Sequence, residues 1–193
     1  MRIEDLPSPV VIHLESDKHR QENISRQISN WCLKHPLIFS AYSGKQMGVP
    51  SWFKAGAGAW GCRLSHLELM AKAIQSDLPV FILEDDFLLA PDFTERLDRF
   101  LSLLPDDWDG IWLGGEHGQR PQVVNTEVVR CTCTYRNHAY LMRGHYLRDC
   151  WASLQNYPQH IDWLTGAKMN AFRVYAPTVW LEKSLLYHLT YHI

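Results

Sequence analysis

The sequence predicts a single α/β layered domain, and three observations predict it. Strand-like and helix-like segments alternate along the 193 residues. A hydrophobic content of 46% against 21% charged residues is enough for a folded core. No repeat, low-complexity linker or shift in composition divides the chain, so residues 1–193 are read as one domain. The formal net charge of −2 offers no basic field for nonspecific nucleic-acid binding. No apolar run approaches the length that spans a bilayer. The opening MRIEDLPSPVVIHL carries acids early and two prolines, and lacks the apolar core of a signal peptide, so a cytoplasmic protein is expected.

The elements follow in order. Pro9–Leu14 (PVVIHL) is a short first strand. Lys18–His35 reads as a helix, with Ile24, Ile28 and Trp31 or Cys32 recurring at helical spacing. Pro36–Gly44 (PLIFSAYSG) is a second strand ending in a Tyr-Ser-Gly turn. In Lys54–Gln75 a glycine-interrupted lead-in runs to Gly61. A helix then opens, with Leu64, Leu67, Ala71 and Ile74 as its buried stripe. Val80–Leu83 is a strand. Asp92–Leu104 is a helix with a capping box, Asp92 capping and Glu95 reaching back. Phe93, Leu97, Phe100 or Leu101, and Leu104 form its apolar face.

Asp109–Gly115 (DGIWLGG) is a buried strand ending in two glycines, and Glu116–Val123 is a polar loop. Glu127–Tyr135 and His138–Arg143 are expected as adjacent strands. Gly144–Tyr157 is a helix, Ile161–Asn170 begins another, and Phe172–Trp180 supplies a late strand. The tail, Leu181–Ile193, is a short helix or a segment folded back over the site. The five cysteines, Cys32, Cys62, Cys131, Cys133 and Cys150, are odd in number and contain no CxxC pair. That spacing argues against a zinc site and a disulfide scaffold, and makes Cys131 and Cys133 core residues on one strand face.

The chemistry gathers at LPVFILEDDFLLAPDF, Leu78–Phe93, where an apolar strand stops on Glu84, Asp85 and Asp86. An extended backbone would send Glu84 and Asp86 to one side and Asp85 to the other. Strand ends in open α/β sheets are where ligands bind. Paired acids there call for a divalent cation, a ribose diol, or nearby Arg or Lys. Hard oxygen ligands favour Mg²⁺ or Mn²⁺ over zinc. The plain alternative is a solvated turn, but apolar residues flank the acids on both sides.

GAWGCRLSHLELMAKAIQSDLPVFILEDD, Gly58–Asp86, resembles the signature of glycosyltransferase family 25, which includes lipooligosaccharide and collagen galactosyltransferases. The matching residues are Gly58, Gly61, Cys62, Leu64, Ser65, His66, Glu84, Asp85 and Asp86. VVIHLESDKHRQENI is similar to the family's opening strand pattern, with His13 at its Asn position and Arg20 at its basic position. HAYLMRGHYL and HIDWL are similar to later blocks. Asn137 and His138 stand where the family prefers a small Gly-Thr or Gly-Ser element.

The resemblance implies a GT-A fold, a Rossmann-like domain with a mixed central sheet flanked by helices. It also implies a nucleotide-sugar donor, usually a uridine diphosphate sugar, and an acidic motif that holds the ribose and a Mn²⁺ or Mg²⁺ ion. Carried over by residue, Glu84 or Asp85 contacts the donor and Asp86 binds the metal, which relieves charge on the departing diphosphate. His13 and Arg20 join the donor site. Ser65 and His66, expected in the first turn of their helix, would meet donor phosphate or an acceptor hydroxyl, although a core histidine reads equally well.

Inversion needs a base, and Asp162 is the candidate, with a simple helix cap as its other reading. His188 or His192 in the tail would add a metal ligand unless they only pack. Trp52, Trp60, Trp112 and Trp163 are candidate sugar-stacking surfaces. The function expected is transfer of a hexose, galactose or glucose, from a UDP-sugar with inversion. The acceptor is a saccharide, with a protein or modified-DNA hydroxyl as alternatives. A GT-A-like binding module without catalysis is the second reading. A metal-dependent hydrolase is a third, weakened by the absence of HxH or HExxH spacing.

Overall fold

The computed structural model describes residues 1–29 and 31–184. In chain order the elements are β1 (Val10–His13), α1 (Lys18–Ile28), β2 (Leu37–Ser40), α2 (Gly44–Met47), α3 (Gly56–Ser76), β3 (Val80–Glu84), β4 (Phe87–Leu89) and α4 (Phe93–Leu103). There follow β5 (Gly110–Trp112), β6 (Glu116–His117), β7 (Gln122–Val123), β8 (Val128–Arg130), β9 (Thr134–Tyr135) and β10 (Ala139–Met142). The chain continues through α5 (Gly144–Leu154), α6 (Ile161–Lys168), β11 (Val174–Pro177) and β12 (Glu182–Ser184).

A mixed eight-stranded sheet runs in the order β2-β1-β3-β10-β5-β11-β8-β7. The strands β2, β1 and β3 are parallel. Antiparallel β10 is wedged between β3 and β5. Two small ribbons, β12-β4 and β6-β9, stand beside the sheet.

Strand alternation splits the core in two. Val11, Phe81, Leu83, Ile111, Ala139 and Leu141 face Ile24 of α1 and Phe93, Leu97, Phe100 and Leu101 of α4. Ile12, Val80, Ile82, Trp112, Tyr140 and Met142 face Leu69, Met70 and Ala73 of α3 and Tyr146, Leu147 and Cys150 of α5. Each fully buried Leu or Phe contributes about 2 kcal/mol of transfer free energy.

Several expectations are corrected. The first helix stops at Ile28 instead of reaching His35. Beyond it the Trp31 indole N–H donates to the carbonyl of Leu33 at 2.9 Å, and Lys34 Nζ donates to the Leu6 carbonyl at 2.7 Å, so these residues form a loop. The glycines before Gly61 lie inside α3, not ahead of it. Gly61 and Gly44 are contact surfaces: a Cβ on Gly61 would stand 2.3 Å from the Tyr42 carbonyl oxygen, and one on Gly44 1.8 Å from that of Ala57, whereas a Cβ on Gly56 or Gly58 would meet nothing within 4 Å. Only bare backbone lets α2 approach α3 so closely.

The buried face of α3 is Gly61, Arg63, Ser65, His66, Leu69, Met70 and Ala73, while Leu64, Leu67, Ala71 and Ile74 are half-buried. A helix covered on more than one side buries polar residues that a hydrophobic stripe does not reveal. Asp92 is the N-cap of α4 but makes no capping bond. It pairs with Arg96 at 3.4 Å, while Glu95 pairs with Arg99 at 2.6 Å. The Glu116–Val123 stretch contains β6 and β7 rather than a plain loop. The expected neighbours β8 and β10 are separated in the sheet by β5 and β11. Of the tail, Glu182–Ser184 forms β12 against β4.

Candidate active site

The end of β3 sends its acids in different directions. Asp85 belongs to the α1 face. Its Oδ2 lies 2.9 Å from His13 Nδ1, its Oδ1 accepts from the Arg20 guanidinium, and its carbonyl accepts from Asn23 at 3.3 Å. Asn23 also donates to the Phe87 carbonyl at 2.9 Å, which pins the turn between β3 and β4 to α1. Both His13 and Arg20 therefore hold a carboxylate of the chain itself.

Glu84 belongs to the α3 face. Its Oε1 lies 3.2 Å from His66 Nε2 and 3.8 Å from Cys62 Sγ, and its Oε2 lies 3.4 Å from His138 Nδ1. Asp86 meets the same imidazole at 3.3 Å and the Arg20 guanidinium at 3.8 Å. Glu84 and Asp86 thus converge on one side through His138, but not by strand alternation, because β3 stops at Glu84 and Asp85 and Asp86 form the turn to β4. They differ in access: the Glu84 side chain is 23% exposed and that of Asp86 3%. His138 is placed by register, because β10 pairs antiparallel with β3 and the Glu84 amide donates to the His138 carbonyl at 2.8 Å.

Ser65 and His66 sit well inside α3 rather than in its first turn. Ser65 Oγ donates to the Gly61 carbonyl at 2.9 Å and accepts from the Tyr42 amide at 3.0 Å, so it latches the chain after β2 onto α3. His66 is buried, stacked on Tyr140, with Nδ1 2.7 Å from the Tyr140 hydroxyl. It orients Glu84. No helix-terminal amides are available at either residue.

Two clefts open over this cluster. A cleft of ≈ 550 Å³ is lined by Gly58, Cys62, Glu84, Tyr135, His138 and Asp162, among others. A smaller one of ≈ 160 Å³ is lined by Ile12, Leu14, Arg20, Tyr42, Cys62 and Glu84, among others. Gly58, Cys62 and Glu84 are common to both.

Asp162 enters the larger cleft from α6. Its Oδ2 accepts from the Arg136 amide at 3.2 Å, whereas its buried Oδ1 has no hydrogen-bond partner among the described residues. The N-cap of α6 is His160, so Asp162 is not that helix's cap. Arg136 holds a left-handed backbone, φ 65°. Asn137 is buried against Thr165 and Trp112, which makes it structural.

Among the tryptophans, Trp163 is 50% exposed and lies on the cleft wall. Trp112 is fully buried and stacked on Tyr140, which rules it out as a sugar platform. Trp52 and Trp60, with Phe53, surround the Arg63 guanidinium at 5.1–5.4 Å. Arg63 donates to the Tyr157 carbonyl and so ties α3 to the chain leading into α6.

Burial opposes charge on Glu84, but its bonds to His138 and His66 win and hold its carboxyl well below the usual range. Burial likewise opposes charge on His138, and Asp86 and Glu84 outweigh it, pushing the imidazole up to about 11. Glu182 of β12 is buried beside this group. Burial pushes its carboxyl up to about 8, and a Cβ on Gly114 would stand 1.9 Å from its Oε2.

Sequence reasoning missed the parts played by His138 and Glu182. The signal for His138 was its position one residue before an apolar strand. For Glu182 it was a lone acid beside Trp180 and Leu181. His188 and His192 lie outside the described residues.

Glu84, Asp86 and His138 offer two carboxylates and one imidazole with ligand atoms within 4.8 Å of one another. Two carboxylates and an imidazole are ligands that a divalent cation accepts. No helix among the described residues is long and apolar enough to cross a membrane.

An α/β sheet with acids and a cleft at the ends of its parallel strands defines a ligand-binding α/β protein. Residues 7–148 match the family model described as glycosyltransferase family 25 (LPS biosynthesis protein), and the chain belongs to that family. Membership assigns it a role in glycosyl transfer. No curated protein matches the chain by sequence. Among solved structures it is similar to a glycosyltransferase involved in glycosylation of the major capsid of PBCV-1. That match has a TM-score of 0.42 and 9% identity, over 79% of this chain and 68% of that one.

Proposed function

We propose that residues 1–193 act as one glycosyltransferase domain of GT-A type. It moves a hexose, galactose or glucose, from a UDP-sugar to an acceptor hydroxyl with inversion. The observation that carries the reading is Asp162. Its Oδ1 is buried and unpartnered among the described residues, and it lines the same cleft as Glu84 and His138. A carboxylate anchored through one oxygen and unsatisfied at the other is suited to take the acceptor's proton, once its side chain turns the buried oxygen toward the cleft.

The donor lies across the two clefts. Ile12, Leu14 and Tyr42 flank its nucleoside end, and Glu84 stands at the shared wall. Arg20 and His13 act indirectly, by holding Asp85 and shaping the turn. Trp163 offers an exposed ring to the acceptor sugar. A Mn²⁺ or Mg²⁺ ion held by Glu84, Asp86 and His138 would supply positive charge for the departing diphosphate. The family's description favours a lipopolysaccharide-type saccharide acceptor, with a protein or modified-DNA hydroxyl as the other candidates.

Transfer from UDP-galactose and UDP-glucose to a saccharide panel, with NMR of the product anomer, tests this. Asp162→Asn is expected to lower turnover about 10²–10⁴-fold while donor binding persists. Unchanged turnover in that variant removes the base, and a retained anomer removes the inverting reaction.

One observation favours the second reading, a binding module without turnover: Asp85 and Asp86 already contact cationic groups of the chain. Calorimetric donor binding with neither transfer nor donor hydrolysis in the wild-type protein would establish it.

A further inference from the structure

We propose a second, thiophilic metal site in the wall shared by the two clefts, formed by Cys62, His66 and Glu84 and suited to Zn²⁺. Cys62 and His66 are one helical turn apart on α3, so both side chains leave the same face. Glu84 comes to meet them from the end of β3. His66 Nε2 lies 3.2 Å from Glu84 Oε1, and Cys62 Sγ lies 3.8 Å from the same oxygen. The three ligand atoms fall within 4.8 Å of one another.

Tetrahedral zinc with ordinary bond lengths requires edges of about 3.3 Å between nitrogen and oxygen and about 3.5 Å between sulfur and oxygen. The cluster is therefore close to a zinc half-cage without moving backbone. His66 Nδ1, 2.7 Å from the Tyr140 hydroxyl, supplies the second hydrogen bond that fixes a ligating imidazole. Cys62 and Glu84 line both clefts, so a fourth ligand can arrive from solvent.

This donor set, S,N,O, differs from the O,O,N set of Glu84, Asp86 and His138, and thiolate selects zinc over manganese or magnesium. The spacing of cysteines along the chain argues against zinc because it counts cysteine pairs. The fold instead joins one cysteine to a histidine one turn away and to a distant acid. On binding, the Cys62 thiol gives its proton to solvent and the thiolate bonds the metal. Zinc then stands between the clefts, so it competes with the donor. That competition rests on the proposed donor position, but the metal binding does not.

The test is Co²⁺ titration of the purified protein, followed by Zn²⁺ displacement. A sulfur-to-cobalt charge-transfer absorption is expected with one ion per chain. Cys62→Ser should abolish it, and His66→Gln should weaken cobalt binding at least tenfold. Cys32→Ser should leave both unchanged. In the wild-type protein, Zn²⁺ should protect Cys62 from alkylation, read by peptide mass spectrometry, which covers the case of a variant that fails to fold. Absence of the absorption, or its survival in Cys62→Ser, overturns the site, as does alkylation of Cys62 unaffected by zinc. If zinc binds as expected but donor affinity is indifferent to it, the metal site stands and the donor position falls.

Discussion

Asp85 and Glu84 are adjacent in sequence and opposite in circumstance. Asp85 faces α1 and gives both oxygens to the chain, one to His13 and one to Arg20. Glu84 faces α3, is held by two histidines, and remains on the wall of both clefts. One peptide step, from the last residue of β3 into the turn after it, separates a carboxylate tied to α1 at the wall of the smaller cleft from one held by two histidines at the wall of both clefts. An acidic motif is thus not uniform in role, and substitutions should tell its members apart.

The largest effect is expected on the cleft side. Glu84→Gln should lower sugar-transfer turnover about 10²–10³-fold, the scale of losing one preorganised electrostatic group, and should cost less stability than the Asp85 change, since the Glu84 side chain is 23% exposed against 6% for Asp85. A comparable loss of stability would erase the contrast. On the other face, Asp85→Asn should cost about 3 kcal/mol of unfolding free energy, because the Arg20 guanidinium loses its counter-charge and His13 its carboxylate partner. The low end of the range applies because the Arg20 side chain is 34% exposed. Denaturant titration reads this, and the folded fraction should keep most of its turnover.

Smaller per pH unit is the response of Glu182. Its folded carboxyl titrates at about 8, above the ordinary 4.5. Between those values the folded state binds the extra proton, so stability falls as pH rises through the window, by at most about 1.4 kcal/mol per pH unit. His138 has the usual sign of a raised histidine. Its contribution is complete below 6.5 and is lost as pH rises through about 11. Melting between pH 5 and 6.5 should show the Glu182 slope, which Glu182→Gln should flatten; above 6.5 His138 adds a slope of the same sign that the variant keeps. The smallest effect belongs to Arg148, which pairs with Asp77 away from the acids, with side chains 45% and 83% exposed. Arg148→Ala should change stability by less than about 0.5 kcal/mol and leave transfer untouched.

The strand carrying the acids, the α4 face and the alternation of layers were all legible, because period-two and period-3.6 patterns speak directly of burial. Gly61 reads as the end of a loop because a loop and a tight helix contact demand the same residue. Gly44 and Gly61 are there for α2 against α3. Arg63, Ser65 and His66 confounded the stripe, since their burial depends on an aromatic cage, a backbone latch and a stacked tyrosine contributed from elsewhere. His138 entered the site through strand register, a relation between distant segments that no local pattern encodes.

The wedge of β10 between β3 and β5 has a consequence for assembly. The strand that closes the centre of the sheet also delivers the imidazole, so ordering of the interior and completion of the acid cluster are one event. A nascent chain that has not yet emitted this segment holds like charges side by side with no cation from it to quiet them. Such long-range closure is slow relative to local helix formation. The molecule should therefore acquire its chemistry late, in the same cooperative step that commits it to its shape.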